Sequence, residues 1–267
     1  MKSPPANFAS VPARFKLPGM GSFAILLVTA VVFAYSIHSV GLSPLQLING
    51  IPEIGRILAE MFPPDFRRID RIAAAILETF QMAFAGTALG IAASFFLAIL
   101  ASRVHSPHPA VYFAARSLVS LFRTVPDLVW ALLFVVAVGL GPFAGTLAIM
   151  VDTMGFCGRF FAEAMEEVPP GPQEALRAGG ARRADVIFCA VVPAALPSFV
   201  NSSLFSLEKA TRSSVILGLV GAGGIGIELK VSMDLFQYSQ AATAILSIFA
   251  LVIAVEQSSG AVRRRIL

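Results

Sequence analysis

Long apolar runs alternate with short polar intervals along this chain. The run from Ser22 to Val40 has about the length needed to cross a bilayer. A second extends roughly from Ile76 to Ser102. A third, Pro126 to Gly139, is short and follows an amphipathic entry through Arg116 and Arg123. A fourth covers about Phe143 to Ala164. A fifth starts near Val191, continues through Pro197 and Asn201, and ends around Glu208 to Arg212. A sixth covers about Ser239 to Glu256. Runs of this kind predict an all-α, polytopic membrane helix bundle of about six transmembrane helices. Gly86 and Gly90 are four apart, a small-residue face suited to close helix packing. Between the first two runs, residues 41–71 are amphipathic. Ile51, Ile54, Ile57, Leu58 and Met61 recur at helical spacing among Glu53, Arg56, Glu60 and Asp65, which predicts a surface helix ended by Pro63-Pro64. Ser213 to Tyr238 reads as a non-membrane or re-entrant segment.

Composition supports this pattern. Of 267 residues, 57% are hydrophobic and 13% charged, and the mean hydropathy is +0.80. A soluble domain carries about 25% charged residues. The net charge of +4 and pI near 9.4 invite a nucleic-acid reading. The basic residues sit mainly at helix flanks, as membrane topology requires, so no nucleic-acid partner is expected. Lys2, Arg14 and Lys16 precede the first run, which reads as an uncleaved helix, and Arg263-Arg264-Arg265 follow the last. Basic flanks stay inside, so both termini are expected in the cytoplasm. The four arginines of residues 41–71 run against that rule if the segment lies outside. Cys157 and Cys189 are too few for a disulfide framework. His105 and His108 fall in the inner loop 103–110, where a solvated loop is expected rather than a metal site. No metal or cofactor is expected.

The most distinctive polar interval is Pro169 to Pro193. Pro169, Pro170, Gly171 and Pro172 break the preceding helix. Pro172 suits a first helical position, Glu174 follows in the first turn where the helix dipole favours an acid, and Ala175, Leu176, Arg177 and Ala178 are helix formers. Gly179-Gly180 ends that helix through a left-handed residue. A second helix, basic at Arg182 and Arg183, leads back into apolar sequence. As a pattern this elbow is either a polar linker or a docking knob for a partner.

Two further features carry candidate chemistry. Gly221, Gly223 and Gly226 form G-x-G-x-x-G, with Gly224 between. Without strand–helix alternation or a downstream acid for a ribose, the motif does not indicate a nucleotide site. It reads as a flexible turn, or as a re-entrant turn lining a pathway. Glu208 and Arg212 are spaced i,i+4 in the favourable order. They form either a helix-end ion pair or a gate on the route of an anion, with Ser213 and Ser214 beside them.

Glu174-Ala175-Leu176, Gly180 and Pro193 fall on the spacing of the EAA loop of ABC-importer permeases, and the chain resembles that family. Glu208, Arg212 and the stretch Val215 to Gly226 resemble its phosphonate-type members, as do Val125 to Ala131, Gly139 to Gly145 and Phe161 to Ala164. Asp127 stands where Glu is expected, and Asp152 where a neutral polar residue is expected. The resemblance implies the type I (MetI-like) importer fold, with a cytoplasmic flank over residues 1–18, a first transmembrane helix and periplasmic amphipathic segment over 19–75, and a core permease domain over 76–267 that holds the EAA loop over 168–193. It implies a permease in the bacterial inner membrane, working with a second copy of itself or a homologous permease, with cytoplasmic ATPase subunits docked on Glu174, Ala175, Leu176, Gly180, Arg182, Arg183 and Pro193, and with a periplasmic solute-binding protein. The implied cargo is phosphonate or a smaller phosphorus oxyanion such as phosphate, phosphite or hypophosphite. Asp152, Glu208, Arg212, Ser213 and Ser214 are then the candidate pathway or gate residues. No Walker A motif is present, so ATP hydrolysis falls to a partner. The competing reading is a membrane enzyme using Glu78, Asp127 and Asp152 as buried carboxylates; no hydrolase motif supports it.

Overall fold

The computed structural model describes residues 20–41 and 43–266; the basic flank over residues 1–18 lies outside them. The described residues form helices α1 (Met20–Val40), α2 (Pro44–Glu60), α3 (Ile69–Ala101), α4 (Pro109–Thr124), α5 (Asp127–Val138), α6 (Pro142–Glu166), α7 (Pro170–Ala178), α8 (Arg183–Val186), α9 (Val192–Leu219), α10 (Ile225–Asp234) and α11 (Tyr238–Ile266). A π-helical turn, Ile187–Val191, joins α8 to α9. The chain divides into two compact units, residues 1–56 and 57–267.

In the first unit α1 is apolar all round and buries none of its side chains, as a helix solvated by lipid does. The chain then continues into α2, which is amphipathic as its periodicity predicts, with Glu53 and Arg56 paired on its polar side.

The second unit is built around α6, which packs against α3, α4, α5 and α9. Small residues set the α3–α6 spacing. A Cβ on Gly86 would fall 2.8 Å from the Ile149 side chain, and one on Gly90 would fall 2.5 Å from Thr153 Cβ. Both are closer than side chains tolerate, so the glycine face predicted from the sequence is the contact itself. Phe161, Met165, Val119, Cys157 and Phe199 fill the core between α3, α4, α6 and α9.

Among the described residues four helices or helix runs are long and apolar enough to cross a membrane, or five if α4 and α5, bent by 92°, form one span. The remaining expected run, the fourth along the chain, is α6. Its 25 residues reach about 37 Å, but it carries Asp152, Arg159, Glu163 and Glu166.

Three helices outrun their apolar sequence. α3 starts at Ile69 rather than near Ile76, because its charged first turns find partners: Arg71 pairs with Glu228 at 2.8 Å and Arg68 donates to Gln240 at 3.1 Å. α9 continues through Arg212 to Leu219, which corrects the expected end near Arg212 and shortens the irregular segment to a turn around residues 220–224. α11 continues past Glu256 through its arginines.

Candidate functional site

The elbow forms as its residue types dictate, with one shift. α7 begins at Pro170 rather than Pro172. The first four N–H groups of a helix have no internal partner, so both prolines fit that turn. Glu174 is therefore the fifth residue of α7, beyond the turn where the dipole acts. It is exposed, and its side chain makes no hydrogen bond or ion pair among the described residues. The C-terminus closes through two bonds, Gly180 N–H to Arg177 O and Ala181 N–H to Leu176 O, both 3.0 Å, with Gly180 left-handed at φ +84°. This is the Schellman arrangement. No described residue lies within 4 Å of the place a Gly180 Cβ would take, so the described part of the permease leaves this corner open. Arg182 N–H donates to Asp185 Oδ2 at 2.9 Å, which fixes the start of α8. Pro193 is exposed in the first turn of α9.

The elbow leans on the α3–α4 loop. Arg183 donates to Ser106 O at 2.6 Å, and Glu166 accepts from Arg103 N–H at 2.6 Å. Arg116 donates to Ala101 O at 3.1 Å and lies 3.8 Å from Glu166 and 3.9 Å from Glu163. One of the two histidines departs from the expected solvated loop: His108 is exposed as expected, whereas His105 is not. His108 is the N-cap of α4, accepting from Ala110 N–H. His105 is buried, its Nδ1 2.9 Å from Ser102 Oγ and its Nε2 without a hydrogen-bond partner among the described residues. Burial holds the His105 imidazole below its ordinary pKa. The side chain of Gln173 in α7 opposes that shift; Arg177 and Arg183 reinforce it, and Glu166 opposes it.

The glycine turn is packed rather than flexible. Gly221, Gly223 and Gly224 all have positive φ. A Cβ on Gly226 would fall 2.1 Å from Val215 O, so α9 and α10 touch backbone to backbone. Two N–H groups of the turn are bound to side chains of α3. Gly224 N–H donates to Glu78 Oε1 at 3.0 Å, and Ile225 N–H to Thr79 Oγ1 at 2.8 Å. A phosphate would have to displace both, a second argument against a nucleotide there. Glu78 is thus a cap for α10, and it shares no partner with Asp127 or Asp152.

The charges within the bundle pair otherwise than the sequence spacing suggests. Glu208 accepts from Arg263 of α11 at 3.1 Å and does not pair with Arg212. Arg212 is exposed and makes no ion pair among the described residues. Ser214 is buried and donates to Thr211 O at 2.8 Å, so its hydroxyl proton is spent inside α9, while Ser213 is half-buried. Asp152 accepts two hydrogen bonds from Lys209 Nζ, at 2.7 and 2.8 Å. Lys209 did not stand out in the sequence, and the only available signal was a lone lysine inside an apolar run. Beside this pair Ser206 donates to Thr153 Oγ1 and Ser94 to Thr153 O, both at 3.3 Å.

Comparison with known proteins gives this geometry its context. The family described as "Binding-protein-dependent transport system inner membrane component" matches residues 86–267, the stretch that holds the elbow, the charged pairs and the glycine turn. The chain belongs to this family. As a member it is a transport subunit of an ABC importer and a multi-pass inner-membrane protein; ATP hydrolysis resides in a separate subunit, and a solute-binding protein completes the system. This permease is 38% identical to the phosphite transport system permease protein PtxC of Stutzerimonas stutzeri, over 92% of this chain and 91% of that one. It is 40% identical to the phosphate-import permease protein PhnE of Mycolicibacterium smegmatis over 96% of this chain; the match spans 47% of that longer protein. Among solved structures, the inward-facing MetNI methionine ABC transporter aligns with a TM-score of 0.67 at 23% identity, covering 76% of the permease and 99% of that chain. An amino acid ABC transporter solved with histidines aligns with a TM-score of 0.61 at 17% identity, covering 75% of the permease and 98% of that chain. These two likenesses carry the fold.

Proposed function

We propose that this permease moves a small phosphorus oxyanion (phosphite, phosphate or a phosphonate) into the cytoplasm. The observation that carries this reading is its 38% identity to a phosphite permease over nearly the full length of both chains. Two copies form the pathway. The longer phosphate permease, of which this chain spans 47%, has room for a second such unit in one polypeptide. The chain crosses the membrane six times, with α6 as the crossing that charge conceals. Both termini and the elbow are cytoplasmic.

The elbow is the seat of the ATPase subunit. Glu174, Ala175, Gly180, Arg182, Arg183 and Pro193 are exposed and Leu176 is half-buried, so this surface is open to a partner. Gly221, Gly223, Gly224 and Gly226 hold the turn that positions α10 against α9. Asp152, Glu208, Arg212, Ser213 and Ser214 belong to the pathway side of the bundle.

Reconstitution into liposomes with the cognate ATPase and solute-binding protein tests the reading. Uptake of phosphite, phosphate or methylphosphonate driven by ATP is the expected result. A complex that hydrolyses ATP and moves another solute, but none of these three, overturns the cargo assignment.

A further inference from the structure

The Lys209–Asp152 pair calls for a reason. Asp152 is the eleventh residue of the 25 in α6, and Lys209 the eighteenth of the 28 in α9. Charges at such depth are costly and face a bundle interior or a water-filled cavity. A well-packed apolar pair holds two helices together at least as well as a buried ion pair. α6 and α9 already have such packing, with Phe156 stacked on Phe205 at 5.4 Å and Phe161 against Phe199 at 4.5 Å. Helix association therefore does not explain the charges.

We propose that Lys209 is the cation that receives the oxyanion within the membrane, and that Asp152 is a built-in substitute for the cargo. This rests on the reading of the cargo as a phosphorus oxyanion. The Lys209 side chain keeps 37% of its exposure, whereas Asp152 keeps 16%. The lysine is thus the more accessible partner of the pair and the aspartate the more enclosed one. Lys209 Nζ has three donors, and the two bonds to Asp152 leave one free. The Phe156 ring, with its centroid 5.9 Å from Nζ, covers another side without competing for a proton. A carboxylate and a phosphorus oxyanion both present negative oxygens to an ammonium. With no cargo present, Asp152 satisfies Lys209 and spares the membrane a bare charge. An incoming oxyanion takes the free donor and then exchanges with the carboxylate, which returns to push it on. Transport requires a site that holds cargo weakly enough to release it, and an internal competitor supplies that weakness.

Arg212 extends the site. It lies three residues along α9 from Lys209, about 4.5 Å of axial rise and on the same side of the helix. It is exposed and has no counter-charge among the described residues. The neighbouring acid, Glu208, is engaged by Arg263 instead. Lys209, Arg212 and Asp152 together carry one net positive charge, enough to attract an anion.

Binding and uptake test this directly. Phosphite and inorganic phosphate are equilibrated by dialysis with the purified permease–ATPase complex, without the solute-binding protein. Removing the competitor in Asp152→Asn is expected to tighten binding about tenfold, and adding Lys209→Met to abolish it. In proteoliposomes the neutral double variant Lys209→Met/Asp152→Asn is expected to lose at least about tenfold in uptake per folded complex, while Lys209→Arg keeps uptake. A purely structural pair behaves differently, since a neutral pair leaves no orphaned charge. Uptake by the double variant close to wild type overturns the inference alone. So does unchanged anion binding in Asp152→Asn, which decides the matter even if the double variant folds poorly. A wild-type complex that moves neither phosphite nor phosphate overturns the cargo reading and this inference together.

Discussion

Arg183 in α8 donates to the backbone carbonyl of Ser106 at 2.6 Å, joining the elbow to a loop 77 positions earlier in the chain. A force on the elbow therefore reaches α3 and α4 through this bond, as well as along the chain into α9. The bond has a charged donor and lies at a partly buried site. Losing it is expected to cost about 1 kcal/mol of local stability. Arg183→Met should speed hydrogen exchange in both the elbow and residues 102–108, and should lower uptake per ATP hydrolysed. Faster exchange in the elbow alone would show that the two segments are not tied.

Gly180 allows backbone and docking effects to be separated. Its φ of +84° disfavours ordinary side chains, at about 1–2 kcal/mol. The permease itself leaves space there. Asn adopts the left-handed conformation at little cost, so Gly180→Asn should insert and fold normally. It should still lose most ATP-driven uptake if the ATPase packs on this corner, and Gly180→Leu should lose all of it. Normal uptake in Gly180→Asn, measured beside co-purified ATPase, would remove the docking role from this residue.

His105 makes a pH-dependent contribution. Burial depresses its pKa below the ordinary 6.5, so the fold favours the neutral imidazole. Between the folded and unfolded pKa values the unfolded chain binds more protons, and stability falls as pH falls. The contribution is fully present above about pH 6.5 and is lost as pH drops toward the depressed folded value. In detergent, the stability difference between wild type and His105→Gln should be constant above that pH and shrink below it. A difference that grows on acidification would contradict the burial argument.

Among the described glycines, Gly226 leaves the least room for a Cβ. Its missing Cβ would lie 2.1 Å from Val215 O and 2.8 Å from Gly218 Cα. Neither neighbour is a flexible side-chain end, so Gly226→Ala must part α9 from α10 and should cost about 1–3 kcal/mol or more. Thr79→Val leaves that contact but removes the acceptor of Ile225 N–H, at about 1–2 kcal/mol. Yields of folded complex should fall in the order wild type, Thr79→Val, Gly226→Ala.

Topology is tested with single cysteines in a Cys157→Ser/Cys189→Ser background. Arg67→Cys should react with an impermeant reagent added from the periplasm, and Pro107→Cys should react only after the membrane is opened. The reverse pattern would place both termini outside.

The sequence by itself determined the class of the molecule and its local devices. Apolar run lengths made it a membrane helix bundle. The Gly86/Gly90 spacing marked a face that does pack closely, and Gly179-Gly180 marked a helix end that does close through a left-handed glycine. Each rests on interactions within a few residues, or on the bilayer as solvent, and both leave periodic traces in the chain. Tertiary structure decided the pairing of charges. The i,i+4 spacing favoured Glu208 with Arg212, but such a pair stabilises a helix by only about 0.2–0.5 kcal/mol. A partner from another helix in a drier setting outweighs it, and Glu208 binds Arg263, 55 positions away. Lys209 and Asp152, 57 positions apart, met for the same reason. The burial of His105 and the extension of α9 to Leu219 were likewise set by neighbours. Hydropathy records what each residue prefers as solvent; which residue becomes its neighbour is fixed only when the helices pack.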